Sequence, residues 1–267
     1  MKKLNKLIVL MFILFLTACS SSTPNGDTMM ATTTSLNDSG LLDALKPEFE
    51  KSKGVDLKWT SVGSGEAIKL AREGEAALLL AHSPADEKKL VDDGVSLGRT
   101  EIMYNNFLFV GPKKLQATNL KDAVKEICDS KSYISRADDS GTHKMEISLF
   151  KEYCNGKNPT NYTEANDGMA ATLQLASEKK GYTLVDYATW LEQQDKLDLV
   201  EGYYNKKDLV NTYSIHLIKH ESLSEEEVNN AVAFKEWLLS SEGLEIIKNY
   251  GIDKFNKPVF TLVDGLE

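Results

Sequence analysis

Short apolar runs alternate with helical segments along most of this chain of 267 residues. Residues 28–33 and 76–81 are apolar or β-branched over the length of a strand, and a segment with helical periodicity follows each run. This alternation is typical of parallel sheets that are covered by helices. The sequence therefore predicts an α/β fold in which the sheets are mostly parallel.

Two longer β segments, residues 102–110 and 212–219, bracket the middle of the chain. The polar pair Asn105–Asn106 lies inside the first segment and indicates a crossing point. A chain that crosses twice between two lobes would show this pattern. We therefore predict a ligand cleft between lobe I, formed by residues 28–109 and 213–267, and lobe II, formed by residues 110–212.

The amino terminus has the pattern of an export signal. A basic segment with three lysines precedes an apolar run, residues 7–16, that is too short to span a bilayer. The run ends in Leu-Thr-Ala-Cys-Ser, which resembles the lipobox of bacterial lipoproteins. The resemblance implies a signal peptide over residues 1–18, a lipid on Cys19, a flexible tether over residues 19–27 and a place on the outer face of the cytoplasmic membrane. A plain signal peptide with an incidental cysteine is the alternative.

The charge balance excludes one class of ligand. The formal net charge is −9, and it is about −12 without the three lysines of the leader. Nucleic-acid binding needs basic patches, so the acidic balance argues against it. A small anion is not excluded, because diffuse surface charge is screened within about 10 Å whereas donors in a cleft act at contact distance.

Two further cysteines, Cys128 and Cys154, lie near the ends of predicted helices in the middle section. Export permits a disulfide between them, and two separate buried thiols are the alternative. Neither cysteine has the spacing of a metal site, and the four histidines are scattered. We therefore expect no metal site and no cofactor.

Hydroxyl side chains concentrate at three points where a strand should turn into a helix. These points are residues 31–35, 61–66 and 135–142. Hydroxyl groups and the unpaired N–H groups of a helix start are uncharged donors that suit an anion. Serine and threonine are also ordinary helix caps, so each turn alone has a purely structural interpretation.

The third turn adds a positive charge. Arg136 ends a strand, and Ser140 and Thr142 lie at the start of the next helix, so the three could form an oxyanion clamp. The alternative pairs Arg136 with Asp138 or Asp139 and leaves no site. Ser140 lies three residues before His143 without the elbow motif of a serine hydrolase, so we do not expect an enzyme.

A set of short motifs resembles the tungstate-binding proteins of tungstate ABC transporters. The motifs follow one another in order through nearly all of the exported part of the chain. They are residues 31–35, 63–67, 82–84, 104–107, 135–143 and 182–184. The resemblance implies the two-lobed periplasmic-binding-protein fold, type II-like, with one dehydrated oxyanion in the cleft.

The same resemblance implies the ligand residues. Lobe I would contact the anion through Thr33, Thr34, Ser35, Ser64 and Ser83. Lobe II would close on it through Arg136, Ser140 and Thr142. The chain departs from the family pattern at Ala137, where the family has glycine, and at Asn106, where it has aspartate.

The resemblance implies a monomeric solute-binding protein that delivers tungstate to a membrane permease driven by an ATPase. Molybdate, sulfate or phosphate as the ligand stays an alternative within the same class. In another class, an extracytoplasmic sensor would use the bound anion as a signal.

Overall fold

A computed structural model describes residues 26–129 and 132–266 of the chain. The predicted signal peptide, Cys19 and the tether up to residue 25 lie outside these ranges. The first strand begins at Asp27, whose backbone pairs with Asp56. Residue 27 therefore belongs to this strand and not to the predicted tether of residues 19–27. None of the helices in the described ranges has the length and apolar character needed to cross a membrane.

Lobe I is built on three parallel strands and the helices that follow them. In the centre, β1 (Asp27–Thr33) pairs with β2 (Asp56–Val62) on one side and with β3 (Leu78–Ala81) on the other. The helices of this part are α1 (Thr34–Asp38), α2 (Leu41–Lys53), α3 (Ser64–Arg72) and α4 (Pro84–Asp92).

Two long strands connect the lobes, as the sequence predicts. The first, β4 (Thr100–Gly111), pairs up to Asn106 with β9 (Val210–Leu217). From Phe107 onward, β4 pairs with β7 (Thr183–Asp186) and β8 (Val200–Tyr203) instead. The change of partner directly after Asn106 places the crossing point at the polar pair.

Lobe II has a smaller sheet, in which β5 (Tyr133–Ser135) pairs with β6 (Tyr162–Glu164) and bridges to Tyr182 beside β7. The helices of lobe II are α5 (Leu120–Cys128), α6 (Gly141–Tyr153), α7 (Met169–Lys179) and α8 (Tyr187–Gln193). The chain returns to lobe I and ends with α9 (Glu225–Leu238), α10 (Ser241–Asn249), α11 (Ile252–Phe255) and β10 (Thr261–Leu262).

The expectation of mostly parallel sheets is corrected. The pairs β1–β2, β1–β3 and β5–β6 are parallel, but β4 and β9 are antiparallel to every strand that they contact. The reason lies in the crossing, because β4 leaves lobe I and β9 returns to it in the opposite direction. The predicted lobe boundaries at residues 110 and 213 fall inside these two strands and stay predictions.

The apolar core continues across both lobes. The largest cluster of buried side chains includes Leu41 and Phe49 of α2 together with Val185 of β7 and Trp190 of α8. A second cluster lies in lobe II around Phe109. Burial of this apolar surface stabilises the arrangement of the lobes.

A disulfide joins Cys128 to Cys154, as the sequence allowed. It links the end of α5 to the residue that follows α6, and their Cα atoms lie 6.5 Å apart, within the range of natural disulfides. The bridge closes a loop of 26 residues that contains β5 and the Arg136 turn.

We expect reduction of this disulfide to destabilise lobe II. Closing a loop of this length stabilises a protein by about 3 kcal/mol. Denaturant unfolding of the exported chain with and without reductant, alongside the variant Cys128→Ser/Cys154→Ser, should show this difference. A midpoint that reductant leaves unchanged would contradict the bridge.

Candidate functional site

Parallel strands bring the hydroxyl-rich turns of lobe I to one edge of the sheet. Thr33 is the last residue of β1 and lies beside Val62, the last residue of β2. Thr32 lies beside Leu80 of β3. Because the carboxyl ends of parallel strands face the same way, the turns after β1, β2 and β3 meet at this edge. These turns begin α1, α3 and α4.

Lobe II contributes the third turn from the opposite side. Arg136 Nη2 donates to Thr34 Oγ1 at 3.1 Å, and the backbone N–H of Gly141 donates to Ser64 Oγ at 3.1 Å. Gly65 at the start of α3 lies against lobe II, because a Cβ atom at this position would meet the carboxylate of Asp139. The turns that the sequence picked out separately therefore touch one another in the structure.

The Arg136 side chain is 2% exposed and lies among carboxylates. It forms an ion pair with Asp138, which is the pairing that the sequence left open as an alternative. Burial raises the pKa of Asp38 and of Asp186, and the charge of Arg136 opposes both shifts. Within the described residues, Arg136 Nε is buried without a hydrogen-bond partner.

The start of α6 presents two hydroxyls. Ser140 caps the helix, because its Oγ accepts the N–H of His143 at 3.3 Å. Thr142 is 1% exposed, and its Oγ1 is buried with no hydrogen-bond partner in the described part of the chain. His143 Nδ1 accepts the N–H of Asp139, so its ring is engaged in the turn.

The first turn of lobe I holds its own hydroxyls together. Thr33 Oγ1 lies 3.3 Å from Ser35 Oγ and also accepts the N–H of Leu36 at 3.3 Å. Ser35 Oγ lies 3.1 Å from His82 Nε2. Thr34 points across the cleft to Arg136.

Ser83 lies at the same edge, but its donors are already used. Its hydroxyl donates to Asp86 at 3.0 Å, and its N–H donates to Glu87 at 2.6 Å. Asp86 also pairs with Lys144 of α6 at 2.6 Å, so this ion pair joins the two lobes. Burial would raise the pKa of Asp86 and of Glu87, yet their hydrogen bonds outweigh it and lower both to about 2. Ser83 therefore stabilises this edge of the sheet through its hydrogen bonds to Asp86 and Glu87.

The departure from the family pattern at Ala137 has a conformational consequence. Ala137 adopts φ +51°, in the left-handed region where glycine is favoured. A residue with a Cβ atom is about 1–2 kcal/mol less stable there. The turn therefore keeps the backbone path that a glycine would follow. Asn106, the other departure, donates to the carbonyl oxygen of Lys206 at 3.0 Å.

Sequence reasoning missed two groups beside the site. His82 lies in the motif at residues 82–84 and follows a buried strand at the same edge as the hydroxyl turns, but the sequence pattern indicates no role for it. Glu146 lies one helical turn after Thr142, where no motif marks it. Its carboxylate accepts the hydroxyls of Tyr133 at 3.1 Å and Tyr162 at 2.7 Å, and Tyr133 belongs to β5, which ends one residue before Arg136.

Burial raises the pKa of Glu146 from 4.5 to about 7, and hydrogen bonds from Tyr162, Ser135 and Tyr133 oppose the shift. A raised carboxyl pKa means that the folded protein holds this proton more tightly than the unfolded chain. The stabilising effect of that proton is complete below pH 4.5 and is lost as the pH rises to about 7.

We therefore expect Glu146→Gln to remove one component of the pH dependence of stability. The amide stays neutral, so the variant should be more stable than the parent above pH 7, by about 3 kcal/mol, and similar to it near pH 4.5. Urea unfolding across this pH range measures the difference. Glu152→Gln, at an exposed position of α6, is the matched control. Parallel stability curves for Glu146→Gln and the parent would contradict the assignment.

In residues 26–129 and 132–266, no three His, Cys, Asp or Glu side chains are grouped as a metal site would require. The turns that meet at the cleft contribute hydroxyls, N–H groups and the Arg136 guanidinium, next to the carboxylates of Asp86 and Asp138. The hydroxyls, the N–H groups and the guanidinium can all donate hydrogen bonds, and the guanidinium is cationic. The arrangement is therefore chemically suited to an anion with several acceptor oxygens.

Comparison with known proteins supports this interpretation. A family model described as a PBP superfamily domain matches residues 18–242. The tungstate-binding protein TupA of Peptoclostridium acidaminophilum is 37% identical over 281 residues and covers 98% of each chain. The TupA protein of Campylobacter jejuni is 35% identical over 240 residues, which are 85% of this chain and 88% of that protein. The chain belongs to the tungstate-binding protein family.

Solved structures agree with this assignment. The tungstate ABC transporter structure from Geobacter sulfurreducens has a TM-score of 0.75 and 35% identity, covering 84% of this chain and 98% of that chain. The tungstate-binding protein TupA of Desulfovibrio alaskensis has a TM-score of 0.74 and 34% identity, covering 89% and 98%. The predicted family and the predicted periplasmic-binding-protein fold are confirmed.

Proposed function

We propose that the protein captures tungstate outside the cytoplasmic membrane and delivers it to an ABC permease. The observation that carries the proposal is the pair of contacts between the lobes, Arg136 to Thr34 and Gly141 to Ser64. An oxyanion at this junction would accept hydrogen bonds from both lobes at once. Its binding energy would then favour the closed arrangement, as in the hinge closure of periplasmic binding proteins.

One guanidinium cannot neutralise a dianion, so neutral donors must supply the remaining stabilisation. Donors fixed in place and shielded from water stabilise charge without having to reorganise. Thr142 Oγ1 and Arg136 Nε are both buried and unpartnered in the described residues, which makes them candidates for ligand contacts. The planar guanidinium can keep its bond to Asp138 while another N–H group faces the anion.

The ligand's identity rests on the relatives that are named tungstate-binding proteins. The donor set itself suits any tetrahedral oxyanion. Sulfate is smaller than tungstate and should contact fewer donors in a cleft of fixed size, whereas molybdate has nearly the same size as tungstate. We therefore expect tungstate and molybdate to bind better than sulfate.

The remaining parts of the proposal concern delivery. The exported chain would be anchored by a lipid at Cys19 and would act as a monomer whose two lobes, 28–109 with 213–267 and 110–212, close on the anion. A permease and its ATPase would receive the anion. The protein would release it unchanged, so it would not be an enzyme.

Calorimetry of the exported chain with tungstate, molybdate, sulfate and phosphate tests the ligand and the site together. Arg136→Ala should weaken tungstate binding at least about tenfold, because it removes a hydrogen bond from a charged group. Arg72→Ala is the matched control, since Arg72 pairs with Asp93 at the far end of α3. Tight binding of sulfate or phosphate without a response to tungstate would refute the ligand. An unchanged affinity in Arg136→Ala would refute the site.

Thr142→Val should separate anion binding from stability. Valine has the shape of threonine without the hydroxyl, and this hydroxyl has no partner among the described residues, so we expect weaker tungstate binding by about tenfold with no loss of thermal stability. Thr28→Val is a close control, because Thr28 Oγ1 is also buried and unpartnered but lies on β1 near its start. Equal effects of the two variants on tungstate binding would exclude Thr142 as a ligand.

A further inference from the structure

A buried chain of hydrogen bonds runs from the first turn of lobe I to the strands that connect the lobes. It passes from Thr33 to Ser35 at 3.3 Å, from Ser35 to His82 Nε2 at 3.1 Å, and from His82 Nδ1 to Asn211 Oδ1 at 2.7 Å. Asn211 lies on β9 and continues the chain to Asn105 on β4. All five of these residues are buried.

The amide of Asn211 determines which group donates the hydrogen at each step of this series of hydrogen bonds. Its Nδ2 donates to Asn105 Oδ1 at 2.8 Å and to the Tyr213 hydroxyl at 3.2 Å, which uses both amide hydrogens. Its Oδ1 therefore faces His82 as an acceptor. With the Asn211 amide in this orientation, Nδ1 of His82 carries a hydrogen and donates it to Asn211.

His82 is neutral, so its second nitrogen has no hydrogen. The ring is 4% exposed and stacks on Tyr213 with a centroid distance of 4.8 Å. Burial lowers the pKa of His82 to about 4, although the hydrogen bond to Asn211 opposes the shift. Nε2 of a neutral ring with a hydrogen on Nδ1 is an acceptor.

Because His82 Nε2 accepts, the roles of the hydroxyls in the first turn are also fixed. Ser35 donates its single hydrogen to His82 Nε2, and its oxygen is left to accept. Thr33 then supplies the hydrogen of the bond between Thr33 and Ser35. The hydroxyl hydrogens of Thr33 and Ser35 are therefore both used inside lobe I.

Thr34 and Ser64 are in the opposite situation. Thr34 Oγ1 accepts a hydrogen from Arg136, and Ser64 Oγ accepts one from Gly141. Each hydroxyl oxygen is an acceptor in the contact between the lobes, which leaves its own hydrogen available to an anion.

We propose that His82 is a positioning residue that turns the Ser35 hydroxyl, and through it the Thr33 hydroxyl, away from the bound anion. Lobe I then binds the anion with the hydroxyls of Thr34 and Ser64, while Thr33 and Ser35 shape the turn that presents them. This inference rests on the proposed oxyanion function. It divides the candidate residues of lobe I into those that bind the anion, Thr34 and Ser64, and those that only support the turn, Thr33 and Ser35.

The same chain links the binding turn to the hinge. Asn105 lies on β4 two residues before Phe107, where β4 begins to pair with β7 instead of β9. Asn211 lies opposite Asn105 on β9. His82 therefore contacts both the first turn and a crossing strand. A change in the direction of either strand would displace His82 and with it the turn that holds Thr34.

The tautomer of His82 provides a direct test in the intact exported chain. ¹⁵N NMR of the histidine rings at pH 7.5, with His82→Gln to assign the signal among four histidines, should show hydrogen on Nδ1 and none on Nε2. Addition of tungstate should leave this state unchanged. A ring with its hydrogen on Nε2 in the presence of tungstate would overturn the proposal.

Calorimetry with tungstate and molybdate tests the consequence for binding. Thr34→Val and Ser64→Ala should each weaken affinity about tenfold, whereas Ser35→Ala should weaken it less than about threefold. An effect of Ser35→Ala as large as that of Thr34→Val would overturn the inference and leave the proposed function intact. If the parent chain binds neither anion, the proposed function fails as well. Should Ser35→Ala not fold, the NMR measurement on the parent decides alone.

Discussion

The burial of the Arg136 guanidinium is the constraint on which the rest of the site depends. A buried cation must keep a partner, because its desolvation is otherwise unfavourable by several kcal/mol. Asp138 supplies that partner, and the Thr34 hydroxyl accepts a second bond from across the cleft. The lobes therefore meet around a buried positive charge that pairs with Asp138 and acts on two further carboxyls, Asp38 and Asp186, whose pKa is raised by burial. An oxyanion is the kind of ligand that such a junction can accept.

We propose that some hydroxyls near the oxyanion site serve a structural role instead of binding the ligand. Ser83 donates to Asp86, and Ser35 lies against His82, so both stabilise the edge of the sheet. Thr142 has no partner in the described chain. A site for a dianion needs both kinds of group, because free donors bind the anion only if bonded neighbours hold them in place. Glu146 belongs to the second kind, since its carboxylate accepts the Tyr133 hydroxyl of β5, the strand that precedes Arg136.

Chain order and residue type predicted much of this arrangement. The alternation of strands and helices predicted that the hydroxyl-rich segments after residues 33 and 62 lie where a strand turns into a helix. That these turns face Arg136 across a cleft was implied by the resemblance to tungstate-binding proteins. Strand direction was less predictable, because β8 and the antiparallel course of β9 depend on long-range pairing. The pairing of His82 with Asn211 could not be predicted either, since the two residues lie 129 positions apart in the sequence.

Anomalous diffraction from tungsten in crystals grown with tungstate would test the central claim most directly. We predict one tungsten atom between the lobes, with oxygen atoms within about 2.7–3.2 Å of Arg136, Thr34, Ser64 and Thr142. Occupied tungsten at any other position, with Arg136 still bonded only to Asp138 and Thr34, would contradict the account.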